Sequence, residues 1–400
     1  MPEIIERNIY QKIKPHIAGS KAIVVTGVRR CGKTQLMRFI YETISSKNKI
    51  FLDLENPITR KDFEEINYDT ILTHFQRLGI DLTYKSYVFL DEIQNVKSTP
   101  SIVKYLSDHF DIQFFLTGSA SFYLKNLFSE SLAGRKFIFE MTTLSFSEFL
   151  RFKKVNLKLP NKNDRVDKTF YETLKPYLNE YLKFGSFPEV VLESDPSKKE
   201  LLIRDIFTSY FQKEVLQLSD FRKPNLVRDL IIILASESGS LVNIEKISNT
   251  LGVNRLTVEE WIAFLEGTYL ITMVPPYSKN DIVSIRKAKK VYFVDWALAK
   301  SITEISKGQI FENVVFDQIK NYGDISYFRK KSGVEVDFII RKRDPIKNIT
   351  KTTAIEVKNH AVSQDVERIK TLSNELKIKK NFVVSQEFVD LEKVIYPFQF

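Results

Sequence analysis

The chain has 400 residues, 43% hydrophobic and 28% charged, which excludes a disordered polypeptide and requires more than one core. No apolar run approaches the roughly 20 residues needed to cross a bilayer, and the opening MPEIIERNIY has acids where a secretory leader needs basic and then apolar residues. One cysteine excludes an internal disulfide framework, so a cytoplasmic protein without a membrane partner is expected. The net charge of +10 favours a polyanion, with basic clusters at 284–290, 328–331 and 341–343, and DNA is the expected partner.

In chain order, KAIVVTG, KIFLDLE, SYVFLDE and IQFFLTG are β-branched or aromatic runs ending in polar or glycine corners. Longer amphipathic stretches separate them, which predicts a parallel α/β sheet over 1–145 with ligands at the strands' carboxyl ends. Residues 27–34, GVRRCGKT, fit the G-x-x-x-x-G-K-[ST] phosphate loop between a buried strand and the helix TQLMRFIYETI. Gly27 and Gly32 would let the backbone of Val28, Arg29, Arg30 and Cys31 wrap phosphates, with Gln35 at the loop's exit. Lys33 would reach the β- and γ-phosphates of ATP and Thr34 would hold Mg²⁺. In YVFLDEIQ, Asp91 would bind Mg²⁺ through water and Glu92 would polarise the attacking water. Thr117 and Ser119 stand at the next strand end, where a hydroxyl would sense the γ-phosphate; ordinary turn chemistry is the alternative.

These motifs, with SLAGRKFIFEMTTLSFSEFL, FGSFPEVVL and KVYFVDWALA, resemble the AAA-type ATPases of archaea and bacteria that carry a C-terminal nuclease-like region. The resemblance implies an α/β fold: a RecA-like P-loop core at 1–145, a helical lid at 146–218, a winged helix at 219–304 and a restriction-endonuclease-like α/β domain at 305–400. It also implies that Arg135 contacts the γ-phosphate, in cis or from a neighbouring subunit, the latter requiring a homo-oligomer. A surface arginine after a glycine turn is the alternative.

Further along, residues 242–271 carry helix–turn–helix punctuation, with Gly252 at the turn and Val258, Trp261, Ile262 and Leu265 as a buried stripe. Arg255 and Thr257 favour DNA readout on the exposed face, whereas Glu259 and Glu260 oppose it. The basic wing around Arg286–Lys290 is the better DNA candidate. Beyond it, Glu312 on a helix, Asp337 on a strand, and Glu356 and Lys358 on a second strand follow the order of the PD-(D/E)xK nucleases, which this segment resembles. In that reading the three carboxylates hold Mg²⁺ or Mn²⁺ and Lys358 orients or deprotonates the attacking water. Solvated strand-edge charges are the alternative. His360 lies two residues past Lys358, where an exposed turn histidine is the expectation.

Two functions from different classes follow: an ATP hydrolase that acts on DNA, with metal-dependent cleavage by its C-terminal domain, or a nucleotide-operated switch that binds partners without cutting anything.

Overall fold

The computed structural model describes residues 4–64, 67–118, 134–217, 221, 223–278, 287–344 and 349–400. It divides into two compact units: residues 1–143 with Gly267–Tyr269, and Leu144–Glu266 with Leu270–Phe400.

The first unit is built on a five-stranded parallel sheet of β1 (Ala22–Thr26), β2 (Lys49–Asp53), β3 (Ser86–Asp91), β4 (Ile112–Gly118) and β5 (Lys136–Glu140), in the order β2-β3-β4-β1-β5. Helices cover both faces, so the central strands are apolar throughout rather than alternating, and every residue of β1 and β4 is buried. Val24, Leu90, Phe114 and Leu116 share one core with Ile102 and Leu106 of the helix Thr99–His109. The order places β4 between β1 and β3, so a group leaving β1 and a group ending β3 face each other across two strand spacings, about 10 Å. Side chains can bridge that gap.

The second unit begins with helices, among them Lys168–Phe184 and Pro196–Tyr210. Next comes a helix pair, Ile244–Leu251 and Arg255–Gly267, whose Val258, Trp261, Ile262 and Leu265 are buried. A two-stranded antiparallel ribbon follows, β6 (Ile271–Val274) with β7 (Lys290–Phe293). The chain ends in a mixed sheet, β12-β11-β10-β9-β8, made of β8 (Asp324–Arg329), β9 (Glu335–Asp344), β10 (Ile349–Lys358), β11 (Lys380–Ser385) and β12 (Val394–Ile395). The helix Lys307–Ile319 contributes Phe311, Val315 and Ile319 to the core on one face, where Phe338, Ile340, Ile355 and Phe382 lie. The helix Ser363–Glu375 supplies Ile369 and Leu372 to the other, against Ile339, Ala354 and Val383.

FGSFPEVVL and KVYFVDWALA, far apart in sequence, meet at one carboxylate. Asp295 is fully buried and caps the helix Trp296–Ile302 through the amides of Ala297 (2.9 Å) and Leu298 (3.1 Å). Its other oxygen accepts from the Ser186 amide (2.7 Å) and hydroxyl (2.8 Å). Gly185 has φ +78°, and a Cβ there would come within 2.3 Å of Asp295 Oδ1. Burial pushes the Asp295 carboxyl up to about 6 despite these donors, so the junction tolerates no loss of one. Gly185→Ala should therefore cost on the order of 3 kcal/mol, from left-handed backbone strain and a displaced carboxylate. Thermal denaturation should show a Tm drop on the order of 6–10 °C, and an unchanged Tm would refute this account.

Candidate functional site

β1 delivers the chain into the phosphate-binding loop at Gly27, where φ is +149° and a Cβ would sit 2.1 Å from the Met141 carbonyl oxygen. Only glycine fits. Val28 and Cys31 are buried, Arg29, Arg30 and Gly32 half-buried and Gln35 exposed, and Gly32 opens the helix Lys33–Thr43. Lys33 is 4% exposed, and its ammonium donates to the carbonyls of Gly27 and Val28, both at 3.0 Å. The Thr34 hydroxyl donates to Asp91 Oδ2 at 2.7 Å, closing the gap between β1 and β3. Thr117, at the end of β4, donates to the other Asp91 oxygen, and its own hydroxyl accepts from the Glu92 amide at 3.0 Å. Burial raises the Asp91 carboxyl, and the hydrogen bonds from Thr117 and Thr34 only partly counter it. An added cation would relieve that cost, so a hydroxyl and a carboxylate here suit Mg²⁺.

Glu92 has φ +54° and its carboxylate accepts from Gln94. Arg7 has no motif to announce it, yet it is 5% exposed and donates to the carbonyls of Cys31 (2.8 Å), Thr142 (2.8 Å) and Thr143 (3.2 Å). It thereby pins the loop's back to the chain leaving β5. Cys31 is fully buried, so its thiol serves as packing beneath the loop.

Arg135 stands immediately before β5. Its carbonyl accepts from the Ala22 amide, and β5 then runs parallel to β1 from Ala22↔Lys136 to Thr26↔Glu140. Arg135 thus lies at the start of β1 while Lys33 follows its end, some 15 Å away at about 3.3 Å per residue. Its guanidinium pairs with Asp108 at 2.8 Å. That separation from Lys33 exceeds the reach of an arginine side chain. Ser119 falls outside the described residues.

The C-terminal carboxylates also differ from expectation. Lys290, on β7, is buried, and its ammonium lies 3.0 Å from Glu312, 3.0 Å from Glu335 and 3.9 Å from Asp337. Glu312 also accepts from the Tyr292 hydroxyl at 2.6 Å. Burial would lower the Lys290 pKa, but the carboxylates of Glu312, Asp337 and Glu335 outweigh it and hold it above its ordinary value. Asp337 accepts from the Val357 amide at 2.7 Å; burial, then Glu312 and Glu356, raise its carboxyl well above the usual range. Glu356 turns to Lys358 (2.8 Å) and Arg368, leaving its Oε2 buried without a hydrogen-bond partner. Among the described residues no three acids, histidines or cysteines gather as a metal-donor set. Glu312 and Asp337 thus lie against the Lys290 ammonium, whereas Glu356 lies against Lys358 and Arg368. Lys290 and Tyr292 alternate on one strand face and share Glu312, a period-2 signal that was open to sequence reading. His360 pairs with exposed Glu387 at 3.0 Å, away from these acids.

On the second helix of the 244–267 pair, Arg255 is tied to Glu259 at 2.9 Å. Of the basic segment beyond it, residues 284–286 including Arg286 lie outside the described residues. No helix among the described residues is long and apolar enough to cross a membrane.

Residues 19–150 match a family described as an AAA domain, and residues 175–309 and 307–397 match two domains of unknown function, DUF8612 and DUF4143. The uncharacterized protein MJ1544 of Methanocaldococcus jannaschii is 31% identical over 351 residues, spanning 84% of this chain and 75% of that protein. An uncharacterized Haemophilus influenzae protein is 28% identical over 81% of this chain and 80% of its own length. Among solved structures, the Aeropyrum pernix ORC1 protein in complex with DNA aligns with 75% of this chain and 93% of its own at 11% identity and a TM-score of 0.37. The ADP form of ORC2 from the same organism covers 66% of this chain and 84% of its own at 14% identity and a TM-score of 0.35. On the identity shared with the archaeal relative across most of both chains, and on the AAA domain at 19–150, this chain belongs to the family of AAA-domain proteins that includes MJ1544 of M. jannaschii.

Proposed function

We propose that the protein is an AAA-type ATP hydrolase that uses Mg²⁺ and acts on DNA in the cytoplasm. The observation that carries the reading is the 2.7 Å hydrogen bond from Thr34 to Asp91, beside a buried Lys33 already directed into the loop. In this reading the backbone from Gly27 to Gly32 faces the phosphates, and Lys33 exchanges its two carbonyls for phosphate oxygens. Thr34 and Asp91 hold Mg²⁺, which offsets phosphate charge when bound; Thr117 keeps Asp91 oriented. Glu92, fixed by Gln94, orients the attacking water. Residues 146–218 act as a lid and 219–304 as a winged helix that couples the nucleotide state to DNA.

Calorimetry on the full chain should register uptake of ATP and ADP, and Lys33→Ala should lower hydrolysis by about 100-fold or more. A full rate in that variant would end the proposal.

Arg135, unable to reach its own site, acts in trans within a homo-oligomer. Arg135→Ala should lose on the order of 10³-fold in kcat, and mixing it with Lys33→Ala should restore part of the rate, because each supplies what the other lacks. If the variant hydrolyses ATP like wild type, Arg135 is a surface residue.

The pairing of Arg255 with Glu259 favours a second reading, the partner-binding switch, since it removes a cation from the exposed helix face. Negligible DNA affinity at low salt would select the switch. Metal-dependent cleavage has one observation in its favour, the partnerless Glu356 Oε2, but it requires the Lys290 ammonium to leave. Wild type should therefore show no Mg²⁺- or Mn²⁺-dependent DNA cutting. Cutting that is lost in Asp337→Ala and Lys358→Ala would reverse that conclusion.

A further inference from the structure

At the far end of the C-terminal sheet, β9 and β10 run on to a cavity of about 560 Å³. That volume falls within the range of small-ligand sites. Six lysines line it: Lys162, Lys342, Lys351, Lys377, Lys379 and Lys380, and no aspartate or glutamate joins them. The floor is apolar, formed by Ile340, Ile355 and Phe382. Tyr322 and Ile349 stand at the rim, 37% and 52% exposed. Thr353 of this cavity lies three residues before Glu356 on β10, about 10 Å along the strand, and Ile355 of the floor points to the opposite face of the sheet from Glu356.

Three features show that the lysines are not there for the fold's own sake. Lys342 and Lys351 are directly opposite one another in the β9–β10 register, a like-charge pairing that destabilises a sheet. The Lys162 ammonium lies 3.9 Å from the Tyr322 ring centre and 4.3 Å from that of Phe400. Burial, then Lys380 and Lys342, pull its pKa down to about 8. Among the described residues, none of the six has a carboxylate partner. Concentrated positive charge around an apolar well suits a ligand with closely spaced negative charges and a flat apolar body.

We propose that this cavity binds one nucleotide of a single DNA strand, its base in the apolar well beside Tyr322 and its flanking phosphates on the lysine rim. A strand meets both demands at once, since bases stack on aromatic rings while the backbone follows the cations. The choice of DNA rests on the reading above; the cavity lining includes neither the phosphate loop nor Glu312, Asp337 or Glu356.

The test is fluorescence anisotropy of a labelled oligo-dT strand with the full chain at about 50 and 200 mM salt. The triple variant Lys342→Ala, Lys351→Ala, Lys380→Ala alters exposed side chains and should keep or raise the Tm, because it relieves repulsion. It should bind at least about 10-fold more weakly, with a salt slope shallower by about 2. Tyr322→Ala should lose about 5-fold or more with the slope unchanged, a signature that general electrostatics would not give. If wild type binds but both variants match it, this inference is overturned and the DNA reading stands. If wild type itself does not bind, both fall. Competition by poly-glutamate as strong as by the strand would also overturn it, in favour of an acidic peptide.

Discussion

The nucleotide half of the molecule depends on a constraint of sheet order. With β4 inserted between β1 and β3, the loop leaving β1 and the acid ending β3 are two strands apart, and a lone side chain from either cannot organise the gap. The line Thr34–Asp91–Thr117 closes it with one hydroxyl from beyond β1 and one from the intervening β4 on a single carboxylate. Burial makes the Asp91 charge costly, and the two donors keep the group in place without fully offsetting that cost. The remaining imbalance is what a divalent cation would offset. Arg7 extends the same logic behind the loop, where three carbonyls that would otherwise be poorly satisfied converge on one guanidinium.

The C-terminal centre has the reverse balance. Glu312, Glu335 and Asp337 could not all stay ionised in a buried site without a cation, and Lys290 provides it from a strand outside the sheet that carries two of the three acids. An ammonium is a point charge without open coordination positions, so while it is engaged by these acids it cannot hold a water and a phosphate oxygen together as a metal ion does. The residue types of a metal site are thus compatible with a purely structural charge cluster. The distinguishing feature is what stands among the carboxylates, not the carboxylates themselves.

That difference explains how far the sequence could be read. β1 to β4 were legible because each is a β-branched or aromatic run with a polar corner, and the phosphate loop because strand, glycines and helix all follow one another locally. β5 was not legible: it is a half-exposed edge strand, Lys136–Glu140, with charges at both ends. Its placement beside β1 is what takes Arg135 to the wrong end of the sheet for its own nucleotide. Arg7, Lys290 and Asp295 share the same cause of concealment. Each acts on groups far away in sequence, over 135, 47 and 109 residues for Thr142, Asp337 and Ser186, where no spacing rule applies. Local chemistry is written in short motifs; long-range charge balance is written in the fold.

The same principle separates the two sets of lysines in the C-terminal sheet. Lys290 is buried and fully matched by acids, so its charge is consumed within the structure. Around the cavity at the other end of the strands, Lys342 faces Lys351 and Lys162 is held near them without any carboxylate in the lining. A fold gains nothing by concentrating unmatched charge, and one hydrophobic or neutral substitution would remove the repulsion. Unlike the net charge of +10, which solubility alone could account for, this local excess has a position, an apolar floor and a volume. Charge that the protein leaves uncompensated in a shaped site is most simply understood as complementary to something outside it.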